Sequence, residues 1–132
     1  GVPHGHAVHA LGRLSPGEMA LCYAHAPIYT LPALYEPFGL SVLEAAASGC
    51  ALVLGDIPSL RENWDGAAVF VPSRDAAALE AALSRMISDA RYRAAMQRAA
   101  RERSHRFSPA RMARAYLAAY AGTASAEAAC AS

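Results

Sequence analysis

The sequence predicts an α/β fold: a Rossmann-like parallel sheet with flanking helices. Three observations carry that expectation. Short apolar runs alternate with helical patterns over the first 72 residues, the rhythm of β-α-β-α units. Helix-start signals stand where the rhythm changes from strand to helix. The hydrophobic content is 55%, which is enough for a real core in one domain at most, or part of one.

The elements follow in order. AVHALG (7–12) reads as a first strand. In SPGEMALCYAHA, Ser15 is the N-cap, Pro16 the first helical residue and Glu18 the partner of a capping box, with the helix running to about His25. PIYTLP (27–32) is a second, buried strand, 33–39 a loop, and 40–48 a helix that stops at Gly49. ALVLG (51–55) is a third strand, Asp56 to Pro58 a turn, SLRE (59–62) a capping box for a short helix, and AAVFVP (67–72) a fourth strand. Beyond that the pattern is helical. Asp75 caps a helix with Leu79, Ala82, Leu83, Met86 and Ile87 inward, and Asp89 caps one with Tyr92, Met96, Ala99 and Ala100 inward. Ser108-Pro109 open a third, with Met112, Ala115, Tyr116, Ala119 and Tyr120 inward. Residues 121–132 are small, alanine-rich and expected to be disordered.

Composition excludes several classes. The net charge is +1, so bulk charge makes no case for nucleic acid or an acidic membrane. All 12 basic residues are Arg, a bias that points to genome composition. Cys22, Cys50 and Cys130 are far apart and fit neither a disulfide framework nor a zinc site. A reducing cytoplasm fits them best. No signal peptide is expected, and the sequence has no apolar run of the roughly 18 residues that a membrane span needs. The chain opens at Gly1 rather than Met, and an N-terminal part of a longer protein is expected upstream.

The chemistry gathers in LYEPFGLSVLEAAASG (34–49). On a helical wheel Val42, Leu43, Ala46 and Ala47 share the buried arc. Glu44 falls just outside it, with Ser41 and Ser48 on the same polar flank. A helix N-terminus exposes unpaired N–H groups beside a positive dipole end, and Gly39 lets a ligand approach the backbone there. In an open α/β sheet this edge is the usual ligand crevice. A diphosphate fits the amides of Gly39 to Ser41. Glu44, about 7 Å further along at ~1.5 Å per residue, can accept two hydrogen bonds from the diol of a ribose. Glu36 can do the same for the hydroxyls of a second sugar. Two carboxylates flanking an anion site suit a nucleotide-diphosphate sugar.

EPFGLSVLEAAASG, followed by an apolar strand, DIPSLRE and GAAVFVP, resembles the C-terminal nucleotide-sugar domain of retaining family-4 (group 1) glycosyltransferases. The EPFGL form is also similar to that of sucrose and sucrose-phosphate synthases. The resemblance covers residues 7 to 120 and implies the GT-B fold, of which this chain would be a truncated C-terminal half. Residues 1–120 would then be a partial donor-binding domain. It implies hexosyl transfer from a nucleotide-diphosphate sugar, with retention, to an unknown acceptor, and neither a cofactor nor a bound metal. By position Glu36 would be the catalytic residue and bind the donor sugar hydroxyls. Pro37, Phe38, Gly39, Leu40 and Ser41 would line the donor, with the amides of Phe38, Gly39 and Leu40 on the sugar and diphosphate. Glu44 would bind the ribose. The family's two earlier strands, with an arginine–lysine clamp after the first, have no counterpart here, and Arg13 follows a different strand. In the family's strand order 3-2-1-4-5-6, the run at 7–12 would be third and without a neighbour. The missing N-terminal domain would carry the acceptor site and meet the helix at 109–120. The isolated chain is therefore expected to be inactive and marginally stable. The alternatives are another GT-B enzyme, such as a nucleotide-sugar epimerase, or a non-catalytic interaction module.

Other residues read more plainly. His4, His6 and His9 lack a carboxylate or thiol partner and make no metal site. His25 meets the end of its helix, and His105 is exposed. The arginines from Arg91 to Arg114 form a solvated basic face without a nucleic-acid motif. Contact with anionic lipid at the inner face of a membrane is a minor alternative. Asp56 and Glu62 are a turn residue and a capping partner, and Cys50 is a small buried filler.

Overall fold

The computed structural model describes residues 8–37, 39–107, 109–110, 113–114 and 117. Among the described residues eight elements run in order: α1 (Pro16–His25), β1 (Ile28–Leu31), α2 (Leu40–Ala47), β2 (Ala51–Gly55), α3 (Pro58–Trp64), β3 (Val69–Val71), α4 (Ala76–Ser88) and α5 (Ala90–Ser104). The three strands are parallel in the order β1-β2-β3. Ile28 stands beside Ala51, and Val53 beside Val69.

Local chemistry sets the helix starts. Ser15 Oγ accepts from Glu18 N–H while Glu18 accepts from Ser15 N–H at 2.7 Å, the reciprocal pair expected for α1. The same bonds hold the Glu18 carboxyl below its ordinary range. Asp75 and Asp89 each accept from a backbone N–H of the first turn, 2.9 Å in both cases. His25 Nδ1 donates to the Leu21 carbonyl at 2.9 Å, as its place at a helix end suggests. Gly49, at φ 98°, closes α2 in a conformation that side chains resist.

The central strand β2 is buried throughout. Leu52 and Leu54 join Val42, Leu60 and Trp64 on one side, while Ala51 and Val53 meet Met86 and Val71 on the other. A large side chain buried this fully contributes about 1.5–3 kcal/mol. Trp64 stacks on Phe107, with ring centroids 5.5 Å apart, and ties the end of α5 to α3.

Several expectations are corrected. Residues 8–12 form no strand; they are exposed, Val8 by 74%. A strand needs a ladder partner, and no described strand lies beside this run. The box at 59–62 does not form, because Ile57 is the N-cap of α3 and Pro58 its first residue. Ser59 Oγ instead donates to the Glu36 carbonyl. Ile87 is 67% exposed, since the apolar stripe of α4 ends at Met86. On α2 the buried residues are Val42, Leu43, Ala45 and Ala46, whereas Ala47 is exposed. Packing against α1, β1, β2 and α5 rotates the buried arc toward Ala45. The inward residues expected after 109, and the tail at 121–132, lie outside the described residues. Among the described residues no helix is long and apolar enough to cross a membrane.

Candidate functional site

The loop between β1 and α2 passes over the C-terminal end of the sheet and is pinned twice. Ser73 Oγ donates to the Ala33 carbonyl at 2.7 Å, and Ser59 Oγ to the Glu36 carbonyl at 2.6 Å. Gly55 makes room for this. A Cβ there would lie 2.6 Å from the Ala33 carbonyl oxygen. The last residue of β2 must therefore be glycine for the loop to lie so close.

The loop delivers Glu36, half-buried, to the start of α2. Gly39 takes the left-handed conformation there, φ 60° and ψ 38°, and offers no side chain to cap the helix. The Gly39 N–H instead donates to Glu36 Oε1 at 3.0 Å. The cradle expected over Gly39 to Ser41 thus has one of its amides occupied by the protein's own carboxylate. The remaining N–H groups of the first turn look outside the helix for acceptors.

Glu44 is exposed, one turn further along α2. It stands opposite the centre of the buried arc rather than at its rim. Together with Leu14, Pro16, Met19, Tyr23 and Ser48 it lines a cleft of about 570 Å³ between α1 and α2. Glu36 is not part of that lining. The group that senses both carboxylates is Tyr29 of β1. Burial raises its phenol above the ordinary tyrosine value, the Ser41 hydrogen bond opposes this, and Glu36 and Glu44 add to the rise. Tyr23 is shifted up by burial first, then by Tyr29 and Glu44.

Of the other residues singled out from the sequence, Leu40 and Ser41 are half-buried at the start of α2, Pro37 is exposed, and Phe38 lies outside the described residues. Arg13 and His9 are exposed, and His4 and His6 lie outside the described residues. Among the described residues, no three His, Cys, Asp or Glu side chains gather where a metal could be held. Asp56 pairs with Arg61 at 2.7 Å, and that hydrogen bond holds its carboxyl below the usual range. Cys50 is fully buried, with Sγ 3.3 Å from the Tyr23 carbonyl, and burial pushes its thiol up. Sequence reading missed Tyr29, Gly55, Ser59 and Ser73. The one signal for them was a glycine ending a buried strand, which marks close backbone approach.

The family model for glycosyl transferases, group 1, matches residues 3–103. The chain belongs to this family. Among its relatives, the glycogen synthase of Mycobacterium tuberculosis is 38% identical over 100 residues, 74% of this chain and 24% of that protein. The phosphatidyl-myo-inositol mannosyltransferase of Mycolicibacterium smegmatis is 36% identical over 100 residues, 74% of this chain and 26% of that one. The fold matches the solved sucrose-phosphate synthase of Thermosynechococcus elongatus with a TM-score of 0.69 and 26% identity, over 85% of this chain and 30% of that chain. The chain thus spans about a quarter of the length of these curated relatives. The three parallel strands and their helices are part of a GT-B, Rossmann-like glycosyltransferase fold. Membership in the group 1 glycosyltransferases rests on this match along most of the chain, and not on the cradle geometry.

Proposed function

We propose that the chain supplies the donor site of a retaining glycosyltransferase that moves a hexosyl group from a nucleotide-diphosphate sugar to an acceptor bound elsewhere in the protein. The observation that carries this reading is Glu44 lining the cleft between α1 and α2, one turn from a helix start that Glu36 guards. In this reading the ribose diol donates to Glu44, and the base lies along Leu14, Pro16 and Met19. The diphosphate meets the amides of Leu40 and Ser41, where the dipole of α2 favours the charge that grows on it as the sugar–phosphate bond breaks. Glu36 keeps Oε1 on the Gly39 N–H and offers the rest of its carboxylate to the sugar hydroxyls. Its role is to orient the sugar, and it bears the catalytic assignment in that sense. The isolated chain is expected to bind a nucleotide but not to complete transfer, because the acceptor must come from outside it. A cytoplasmic site of action fits a nucleotide-activated donor.

The test uses full-length protein titrated calorimetrically with UDP, GDP and ADP. Glu44→Ala is expected to weaken the best of the three by about 1.5–3 kcal/mol, the scale of hydrogen bonds to a charged group. An unchanged affinity would remove the ribose role.

A further inference from the structure

One close polar contact at the donor site has no part in the scheme above. Tyr29 Oη and Ser41 Oγ lie 2.8 Å apart. They join the edge strand β1 to the second residue of α2. The Tyr29 ring is held edge-on to Tyr23, with centroids 5.8 Å apart and planes at 69°. The phenol is thereby fixed by packing, while a serine side chain alone turns freely among three staggered wells.

We propose that Tyr29 is a positioning residue for the donor: its hydroxyl holds Ser41 Oγ in the single rotamer from which the serine meets the diphosphate at the start of α2. This rests on the donor-site reading. Two hydroxyls carry two protons. Their mutual hydrogen bond uses one and leaves the other to be donated. At a helix N-terminus, beside unpaired N–H groups, an anion is the fitting acceptor for it. Burial keeps the phenol protonated, and the carboxylates of Glu36 and Glu44 reinforce that, so the pair remains a donor.

The magnitude follows from the rotamers. Freeing Ser41 to sample three wells, one of them productive, weakens diphosphate binding by about threefold. The experiment is a double-mutant cycle on the full-length protein, with Tyr29→Phe, Ser41→Ala and both together, titrated with the best-bound of UDP, GDP and ADP. Urea unfolding is measured alongside, and Glu44→Ala serves as the reference variant. Tyr29→Phe is expected to weaken binding about threefold when Ser41 is present and to have no further effect when Ser41 is already alanine. A tyrosine that merely ties β1 to α2 through Ser41 would lower stability when Ser41 is present and leave nucleotide affinity unchanged in both backgrounds. If Tyr29→Phe changes affinity equally in both backgrounds, or not at all while Glu44→Ala does weaken binding, the positioning role is wrong and the donor site stands. If none of the three nucleotides binds the wild-type protein, the donor-site reading falls and this inference falls with it.

Discussion

Substituting Gly55 by alanine should damage the Glu36 loop, although a glycine in a strand is ordinarily replaced to advantage. Gly55 is not among the glycines with positive φ. On backbone grounds alone, alanine there would stabilise by about 0.5–1 kcal/mol. The space argues the other way. The added Cβ would sit 2.6 Å from the Ala33 carbonyl oxygen, 2.6 Å from Ser73 Oγ and 3.0 Å from the Ala33 nitrogen. Close carbon–oxygen contacts are normally about 3.3 Å or more, so the loop must withdraw by about 0.7 Å. Ser73 can rotate away, but that forfeits its hydrogen bond to the Ala33 carbonyl, worth about 1 kcal/mol. The carbonyl itself belongs to the backbone that leads to Glu36 and cannot rotate without moving the loop. Overpacking of this kind costs about 1–3 kcal/mol. With the lost hydrogen bond added and the entropic gain subtracted, the net loss is about 1–3.5 kcal/mol.

The assay is urea unfolding of the full-length protein carrying Gly55→Ala, Ser73→Ala, or both. Ser73→Ala alone is expected to cost about 1 kcal/mol. Adding Gly55→Ala to it should still cost more than that, because the Ala33 carbonyl remains in the way. Affinity for the nucleotide-diphosphate sugar should fall with Gly55→Ala as Glu36 is displaced, beyond any change in affinity for the nucleotide alone. A neutral or stabilising Gly55→Ala would refute the close approach, and with it the view that β2 shapes the donor loop.

Two further predictions rest on other parts of the fold. Arg103 donates to the carbonyls of Asn63 at 2.9 Å and Asp65 at 2.8 Å, closing the C-terminal end of α3. Arg103→Ala should therefore lower stability by about 2 kcal/mol in urea unfolding, and a loss under about 0.5 kcal/mol would place it with the solvated arginines. Stability should also decline in alkali. The Cys50 thiol and the Tyr23 and Tyr29 phenols are all raised in the folded chain, chiefly by burial. The unfolded chain gives up these protons first, so the folded state binds more protons and stability falls as pH rises. The decline begins near the ordinary thiol value of about 8.5 and continues past about 10 for the phenols. Cys50→Ala should remove its first part, and unfolding midpoints that stay flat from pH 8 to 11 would contradict the burial argument.

What could be read from the sequence was what local rules control. The capping box of α1, the aspartate caps of α4 and α5, and the strand β2 follow from residues within a few positions of one another, and they stand where expected. The glutamate pair was visible because both members flank one helix start. What escaped was set by distance along the chain. Ser59 reaches a carbonyl 23 residues away and Ser73 one 40 residues away. In sequence each looks like an ordinary turn or cap serine, and Ser59 was spent on a capping box that Pro58 and Ile57 pre-empt. Arg103 likewise shows no local sign of its partners. The run at 7–12 failed for the opposite reason: its composition suits a strand, but a strand is stabilised by its neighbours.

The Glu36–Gly39 hydrogen bond bears on how two negative groups could share the start of α2. A carboxylate in front of a bound diphosphate would repel it if its charge were unopposed. Here Oε1 accepts the Gly39 N–H, and the positive end of the helix dipole offsets part of that charge. The bond also orients the carboxylate, which can receive up to about four hydrogen bonds, so hydroxyls of a neutral sugar can still be accepted. The amide this uses would be lost to a phosphate bound there, and in the proposed donor site the anion would rely on the following residues, Leu40 and Ser41. In that proposal the Ser41 hydroxyl, held at the start of α2 by Tyr29 from another element, gains importance. At the left-handed Gly39 a glutamate three residues earlier accepts the N-cap residue's own N–H, while the N–H groups at N2 and N3, which an N-cap serine or aspartate would have satisfied, have no side-chain cap from position 39.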